Sequence, residues 1–374
     1  MQIYNIVIIY MFIISVFACC GQELTIRINR YGLTKERKQK IYNRFFWFSV
    51  IILTSIAAMR GSCVGADMPV YIRLYHILEE CPWKDISYLS TRWQIEPFFM
   101  IYCKVIQRIF GSNPQWFIAI SSIITICGFG IFIKKNSCIP LLSLLVYICY
   151  GYWGNSFNVI RQYMAISIII LAITLIEEKK VYKGILLFVV ANLMHTSSIV
   201  FLSVLIIRKR KFSNYIFLAF IILAITLFMI PDSLKNYIIS FTSYSQYAGS
   251  QGSGLSTLLV LFTVFCIVFY LKKQIEIHDK RIDLWLWMLG IGICFNVLAL
   301  DNGLFERIMR YYLVTLFFLV PDVVSVFDRR KNKLLYFLMV LICCGIFILY
   351  FYKIVMASSS SSGYIIPYNI FLVG

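Results

Sequence analysis

The sequence predicts an all-α protein, a polytopic integral membrane helical bundle. Three observations carry that prediction. Of 374 residues, 60% are hydrophobic and 14% charged, against roughly 25% charged in an ordinary soluble domain. Apolar runs long enough to cross a hydrocarbon core of about 30 Å recur along the whole chain. Between those runs, charge is distributed unevenly, with clusters of Lys and Arg separating nearly uncharged segments.

Ten spans follow, near 3–20, 45–59, 114–133, 139–153, 160–176, 214–230, 255–271, 283–300, 308–327 and 334–354. The first, IYNIVIIYMFIISVFACC, lacks a basic leader and a small-residue cleavage site, so it reads as a retained span. Six loops are basic: RINRYGLTKERKQKIYNR at 27–44, then 134–135, 177–183, 208–211, 272–281 and 328–333. The positive-inside rule assigns them to the cytoplasm, and alternation of ten spans then leaves both termini outside. The formal net charge of +18 is thereby a topology signal. It does not point to nucleic acid, and no nucleic-acid partner is expected.

The chain reads as a single transmembrane domain, 1–374, with four segments that are not simple spans. Residues 60–113 form an outer loop that ends in an interfacial helix, because Glu96, Lys104 and Arg108 make EPFFMIYCKVIQRIF a poor span. Residues 184–207 are flanked by basic clusters on both sides and are too short to cross twice at 1.5 Å per residue. They read as a re-entrant or broken-helix hairpin with NLMHTSS near its tip. Residues 231–254, rich in hydroxyls and glycine, form a second outer loop, and 357–374, with its ASSSSSG run, a flexible outer tail.

Polar residues gather at the outer ends of these spans. Arg60 and Asp67 follow the second. Asn155, Asn158, Arg161 and Gln162 open the helix at 160–176. Asp301, Glu306, Arg307 and Arg310 lie in DNGLFERIMRYY, and His195 interrupts the hairpin segment. Ionisable groups at membrane depth are costly and are usually kept for function. Arginine stays charged, and its planar fork matches phosphate oxygens. Arg161 also occupies the first turn of a helix, where the dipole favours an anion. The pattern suits a lipid-linked phosphate or pyrophosphate at the outer leaflet. The bland readings are an arginine snorkelling from a helix end at Arg60, a packing histidine at His195 with Thr196, Ser197 and Ser198 as helix caps, and tyrosines of an interfacial belt. No metal-ligand spacing is present, and no metal or cofactor is expected.

The order MRGSCVGADMPVY, EPFF, NVIRQYMAISIIILA, ANLMHTSSIVF and ERIMRYY resembles the EpsG family of polysaccharide polymerases, relatives of the Wzy polymerases of O antigen and capsule. The resemblance runs from about residue 55 to 315 and carries Arg60, Gly65, Asp67, Tyr71, Glu96, Arg161, Gln162, Ala165, His195 and either Arg307 or Arg310. The Met-Pro after Asp67 departs from it, since Thr or Ser is commoner there. It implies a multi-pass protein of the bacterial inner (cytoplasmic) membrane with its active site on the periplasmic or outer face. It implies a glycosyltransferase that joins repeat units carried on undecaprenyl pyrophosphate, for O antigen, capsule or exopolysaccharide. Arginines would stabilise the departing pyrophosphate: Arg161 first, with Arg60 and Arg310 as helpers, and Arg307, Gln162 and Tyr71 would bind substrate beside them. Asp67, His195 and Glu96 are the candidate bases. Partners would be the lipid-linked oligosaccharide, the lipid bilayer and a chain-length regulator. Two other classes compete: a flippase for the same lipid-linked units, and a membrane O-acyltransferase using His195.

Overall fold

A computed structural model describes residues 2–27, 35–240, 254–277, 279–327, 332–356 and 368–371. Among them the chain is helical, with no strand beyond one isolated bridge. In chain order the α-helices are α1 Gln2–Arg27, α2 Lys35–Ala58, α3 Met68–Glu80, α4 Ile86–Trp93, α5 Pro97–Phe110, α6 Pro114–Asn136, α7 Pro140–Cys149, α8 Tyr152–Asn155, α9 Ile160–Glu177, α10 Val181–Met194, α11 Leu202–Ile207, α12 Asn214–Met229, α13 Asp232–Ser240, α14 Leu255–Tyr270, α15 Lys272–Ile275, α16 Ile282–Leu298, α17 Gly303–Tyr312, α18 Leu316–Val326 and α19 Lys333–Tyr350. Five helical stretches are long and apolar enough to cross a membrane: Gln39–Ala58, Pro114–Asn136, Ile160–Glu177, Gly303–Val326 and Leu334–Lys353. Seven shorter apolar helices accompany them among the described residues, and each expected span falls on one of these stretches. The chain is a polytopic helical membrane protein.

It divides into two compact units, one of residues 1–198 with 333–374, the other of 199–332. In the first unit α9 packs on both α10 and α6, α2 packs on α6, and α1 and α19 pack on α7. The close approach of α9 and α10 rests on Gly184, where a Cβ would collide with the Ile176 side chain and stand 2.8 Å from the Ala172 carbonyl oxygen. Small residues let helices meet this closely where lipid supplies no hydrophobic drive. Prolines at the first turns of α3, α5, α6 and α7 start those helices where an amide N–H would go unused anyway. The second unit centres on α16, which packs on α12, α14 and α17.

A helix end leaves carbonyls without intrahelical donors. The end of α2 shows how they are met. Ser55 O accepts from Met59 N at 2.9 Å, and one turn further in the Trp153 indole adds a bond to Leu53 O at 3.2 Å. Ile56 O accepts from the Tyr368 hydroxyl at 2.6 Å, and Ala57 O from Arg60 Nη1 at 2.5 Å. Ala58 O accepts from Gln115 Nε2 at 2.6 Å.

Three segments depart from simple spans. The run expected to span 139–153 is two helices: α7 stops after ten residues, and Gly151, at φ +85°, turns the chain into α8. Ten residues rise only about 15 Å. The segment expected to be an interfacial helix is α5, with Phe99, Met100, Cys103 and Ile106 buried along one face. Lys104 Nζ ties it to the end of α3, donating to Leu78 O at 2.6 Å and Cys81 O at 2.5 Å. The segment at 184–207 is broken at His195. There α10 ends, a 3-10 turn runs from Thr196 to Phe201, and α11 follows. Of the segment expected to be a second outer loop, α13 is described and 241–253 lies outside the described residues. Of the tail, 357–367 and 372–374 lie outside them, while 368–371 pairs with residues 59–61.

Candidate active site

The site is assembled in the first unit from four short pieces of chain. The loop after α2 must fold back so that α3 can start beside α9, and Gly65 makes the turn. Its φ is +127°, and a Cβ there would stand 2.6 Å from the Phe157 carbonyl oxygen. Only glycine fits such a close approach at positive φ. The neighbouring Ala66 N–H donates to Asn158 Oδ1 at 2.7 Å. Gly65 and Ala66 are thereby seated on the turn that opens α9, just before Arg161. Asp67 is half-buried at the N-cap of α3, where its carbonyl accepts from Tyr71 N at 3.2 Å.

Arg161 is held from two sides. The Tyr71 hydroxyl lies close enough to feel its charge, and Nη1 donates to Glu96 Oε2 in an ion pair. The same guanidinium lies over the Phe99 ring, 5.8 Å from its centre. Its Nε is buried without a hydrogen-bond partner among the described residues, an unusual state for a buried donor.

Glu96 joins the pieces. It precedes Pro97 at the start of α5, and its other oxygen, Oε1, meets the break in the hairpin segment. His195 Nδ1 lies 2.8 Å from it, Thr196 N–H donates at 3.0 Å and the Thr196 hydroxyl at 3.3 Å. Ending α10 at His195 frees the Thr196 amide to do this. Burial pushes the Glu96 carboxyl pKa up, but hydrogen bonding and charge from His195, the Arg161 charge and the Thr196 amide outweigh it and hold the pKa down to about 2. Glu96 is therefore an anion at neutral pH. An ionised carboxylate only accepts, so His195 Nδ1 carries a proton and donates to it. Glu96 and His195 side chains are each 11% exposed, while Thr196 is open to the surface.

The structure thus brings together Tyr71, Glu96, Arg161 and His195, with Asp67 one helical turn from Tyr71. Gln162 is buried beside Arg161. Arg60 stands apart from this cluster at 1% exposure. It donates through Nη1 to Ala57 O and, at 2.7 Å, to Ser122 Oγ, and lies 4.8 Å from the centre of the Phe157 ring. Burial pushes its pKa down to about 10. Arg307 and Arg310 belong to α17 in the second unit. There Arg310 Nη2 pairs with Glu306 Oε1 at 2.6 Å, and the buried Lys235 pairs with Asp301.

Thr196 and Phe99 are the contributors that sequence reasoning misses. Thr196 reads there as a helix cap. Its signal is position, a hydroxyl residue directly after a histidine at a helix break. Nothing in the sequence singles out Phe99 among 31 phenylalanines.

The model of the EpsG family matches residues 43–370, which contain every residue of this site. The chain belongs to the EpsG family. A curated protein, "Amylovoran biosynthesis protein AmsC" of Erwinia amylovora, is 24% identical over 309 residues, covering 78% of this chain and 80% of its own. No solved structure matches. The sequence resemblance to the EpsG family is therefore established over most of the chain, and the cluster of Glu96, Arg161 and His195 lies within the matched region.

Proposed function

We propose that this protein is a membrane glycosyltransferase that polymerises oligosaccharide repeat units carried on undecaprenyl pyrophosphate, at the outer face of the bacterial cytoplasmic membrane. The observation that carries this reading is the Glu96 carboxylate bridging Arg161 and His195. It sets a fixed cation and an oriented imidazole side by side. Membership of the EpsG family and likeness to an amylovoran biosynthesis protein support a role in polysaccharide synthesis. The outward face is argued from the basic loops at the opposite ends of the spans.

Glycosyl transfer from a lipid pyrophosphate breaks the bond between the anomeric carbon and the phosphate oxygen. That oxygen leaves with the electron pair. An acceptor hydroxyl forms the new bond to carbon and gives up its proton. Negative charge grows on the departing pyrophosphate, and a preorganised cation placed there lowers the barrier. Arg161 is that cation. Glu96 uses one of its five N–H groups and the Phe99 ring lies against its plane, leaving Nε–H unmatched for the incoming anion.

His195 is the base. Glu96 holds its Nδ1–H; in the neutral imidazole Nε2 then takes the hydroxyl proton, and the carboxylate stabilises the imidazolium that results. With its pKa held to about 2, Glu96 is too weak a base for that role and acts as the orienting partner. Asp67, at the mouth of α3, is placed to accept from acceptor-sugar hydroxyls. Arg60 supports the loop that carries Asp67. The chain-length regulator stays a proposed partner, to be sought by co-purification.

The test is the length profile of surface glycan in a deletion strain complemented by wild type, Arg161→Ala or His195→Ala, with immunoblots for protein level. Collapse of the ladder to lipid bearing one repeat unit, restored by wild type alone, supports the polymerase. Absence of any unit at the surface would favour a flippase, and normal chain length with loss of acyl mass an O-acyltransferase.

A further inference from the structure

Residues 368–371 return to the loop between α2 and α3. Gly61 N–H donates to Asn369 O at 2.7 Å, and Phe371 N–H to Met59 O at 3.2 Å, which makes an antiparallel bridge of Arg60 with Ile370. The Tyr368 hydroxyl closes on Ile56 O at 2.6 Å, and its ring stands edge-on to Tyr4 at 6.2 Å. Asn369 Nδ2 lies 3.5 Å from Cys63 Sγ.

The loop at 60–67 is therefore gripped twice. The strap at 368–371 holds its first residues, and the turn at 157–158 holds Gly65 and Ala66. Arg60 lies between the two grips. Its guanidinium rests on Phe157, and the charge of Arg60 is felt by the Tyr368 phenol. No carboxylate among the described residues forms an ion pair with Arg60, so aromatic faces, a carbonyl and a hydroxyl surround its charge instead. Loosening either grip would let the loop drift, and with it Asp67 and the Tyr71 hydroxyl that senses the Arg161 charge. Displacements of about 1 Å at such remote supports cost catalysis heavily.

We infer that the strap at 368–371 is a positioning element of the transferase site, with the Tyr368 hydroxyl its main fastening. The inference rests on the polymerase reading for its activity test and stands independently of it for its structural test.

The structural test is oxidation of Asn369→Cys in native membranes. The new thiol faces the native Cys63, which is exposed and free. Copper phenanthroline removes two electrons and two protons from the thiol pair to give the disulfide, read by peptide mass spectrometry as a 63–369 link. The double variant Cys63→Ser, Asn369→Cys is the control and should give none. Absence of the 63–369 link overturns the inference.

The activity test uses membranes given lipid-linked repeat units. Tyr368→Phe should lower kcat about tenfold, equivalent to roughly 1.4 kcal/mol, while leaving KM within about twofold. A chain ending at Pro367 should lose long product while its membrane level holds. Adding Asn369→Cys to Tyr368→Phe and oxidising the 63–369 pair should restore kcat, and reduction should remove that gain, a response no general loss of folding would give. Unchanged kcat in the truncated chain, or no restoration by the 63–369 disulfide, overturns the inference. If wild-type membranes extend no lipid-linked unit at all, the polymerase reading fails, and the 63–369 link still decides whether the strap is seated.

Discussion

Glu96 Oε1 and His195 Nδ1 lie 2.8 Å apart although 99 residues separate them in the chain. The contact joins the start of an amphipathic helix to the break in a hydrophobic one. It converts two unremarkable positions into an oriented imidazole and a carboxylate that also holds Arg161.

Replacing Glu96 separates orientation from charge. Glu96→Ala frees both His195 and Arg161 and should cut polymerisation at least about 100-fold, within the usual range for loss of acid–base function. Glu96→Gln offers one acceptor oxygen without charge and should fall between wild type and Glu96→Ala. Initial rates of lipid-linked unit consumption in membranes, normalised to protein level, measure both.

Acid should loosen the fold through the same carboxylate. A group whose folded pKa is depressed stabilises the protein above its unfolded pKa, and that contribution fades as pH falls towards the folded value. For Glu96 the window runs from 4.5 down to about 2. The full contribution is on the order of 3 kcal/mol at 1.36 kcal/mol per pKa unit. Melting temperature in detergent should drop more steeply below pH 4.5 for wild type than for Glu96→Gln, and parallel curves would remove Glu96 from the explanation.

Loop placement can be tested at its hinge. Gly65→Ala must relieve a 2.6 Å approach to Phe157 O at a φ that side chains avoid, a strain of about 1–3 kcal/mol. Asn158→Ala should cost a similar ~1–3 kcal/mol by stranding the Ala66 N–H, whereas Asn158→Asp keeps the acceptor and most of the stability. Thermal unfolding of the three purified variants would rank them; equal losses for Ala and Asp at 158 would refute the hydrogen-bond account.

In the second unit, Lys235 is 4% exposed and pairs with Asp301. Lys235→Ala leaves that carboxylate without its cation and should destabilise by about 3–5 kcal/mol. Lys235→Met combined with Asp301→Asn should recover much of the loss, seen as a higher melting temperature than the single variant.

Charge stabilisation at the site is assigned to Arg161, so chelators should leave glycan extension unchanged. Activity of the purified protein that vanishes in EDTA and returns with a divalent cation would contradict that assignment.

The spans and many of the site residues are legible in the sequence because lipid makes both conspicuous. An arginine in the first turn of an apolar helix, or a histidine inside a hydrophobic run, stands out wherever charge is expensive. What joins them is not legible. Arg161 meets Glu96 across 65 residues, and no periodicity links a helix start to another helix's first residue. Thr196 is hidden by its type, since a hydroxyl beside a helix break has a simpler local explanation. The shortening of α7 is hidden as well: hydropathy continues through Tyr150 to Trp153, and only the backbone at Gly151 shows the turn. The run of serines at 358–362 masks Tyr368, whose partner is a carbonyl 312 residues earlier.

Such a distant pairing bears on how the protein comes to life in the cell. The loop carrying Asp67 leaves the ribosome early, yet Met59 and Gly61 receive their hydrogen-bond partners from Phe371 and Asn369, made after every described helix has been translated. A chain still being threaded into the bilayer therefore holds an unfinished site. On the proposed function, polymerase activity would begin only once the strap has emerged and seated.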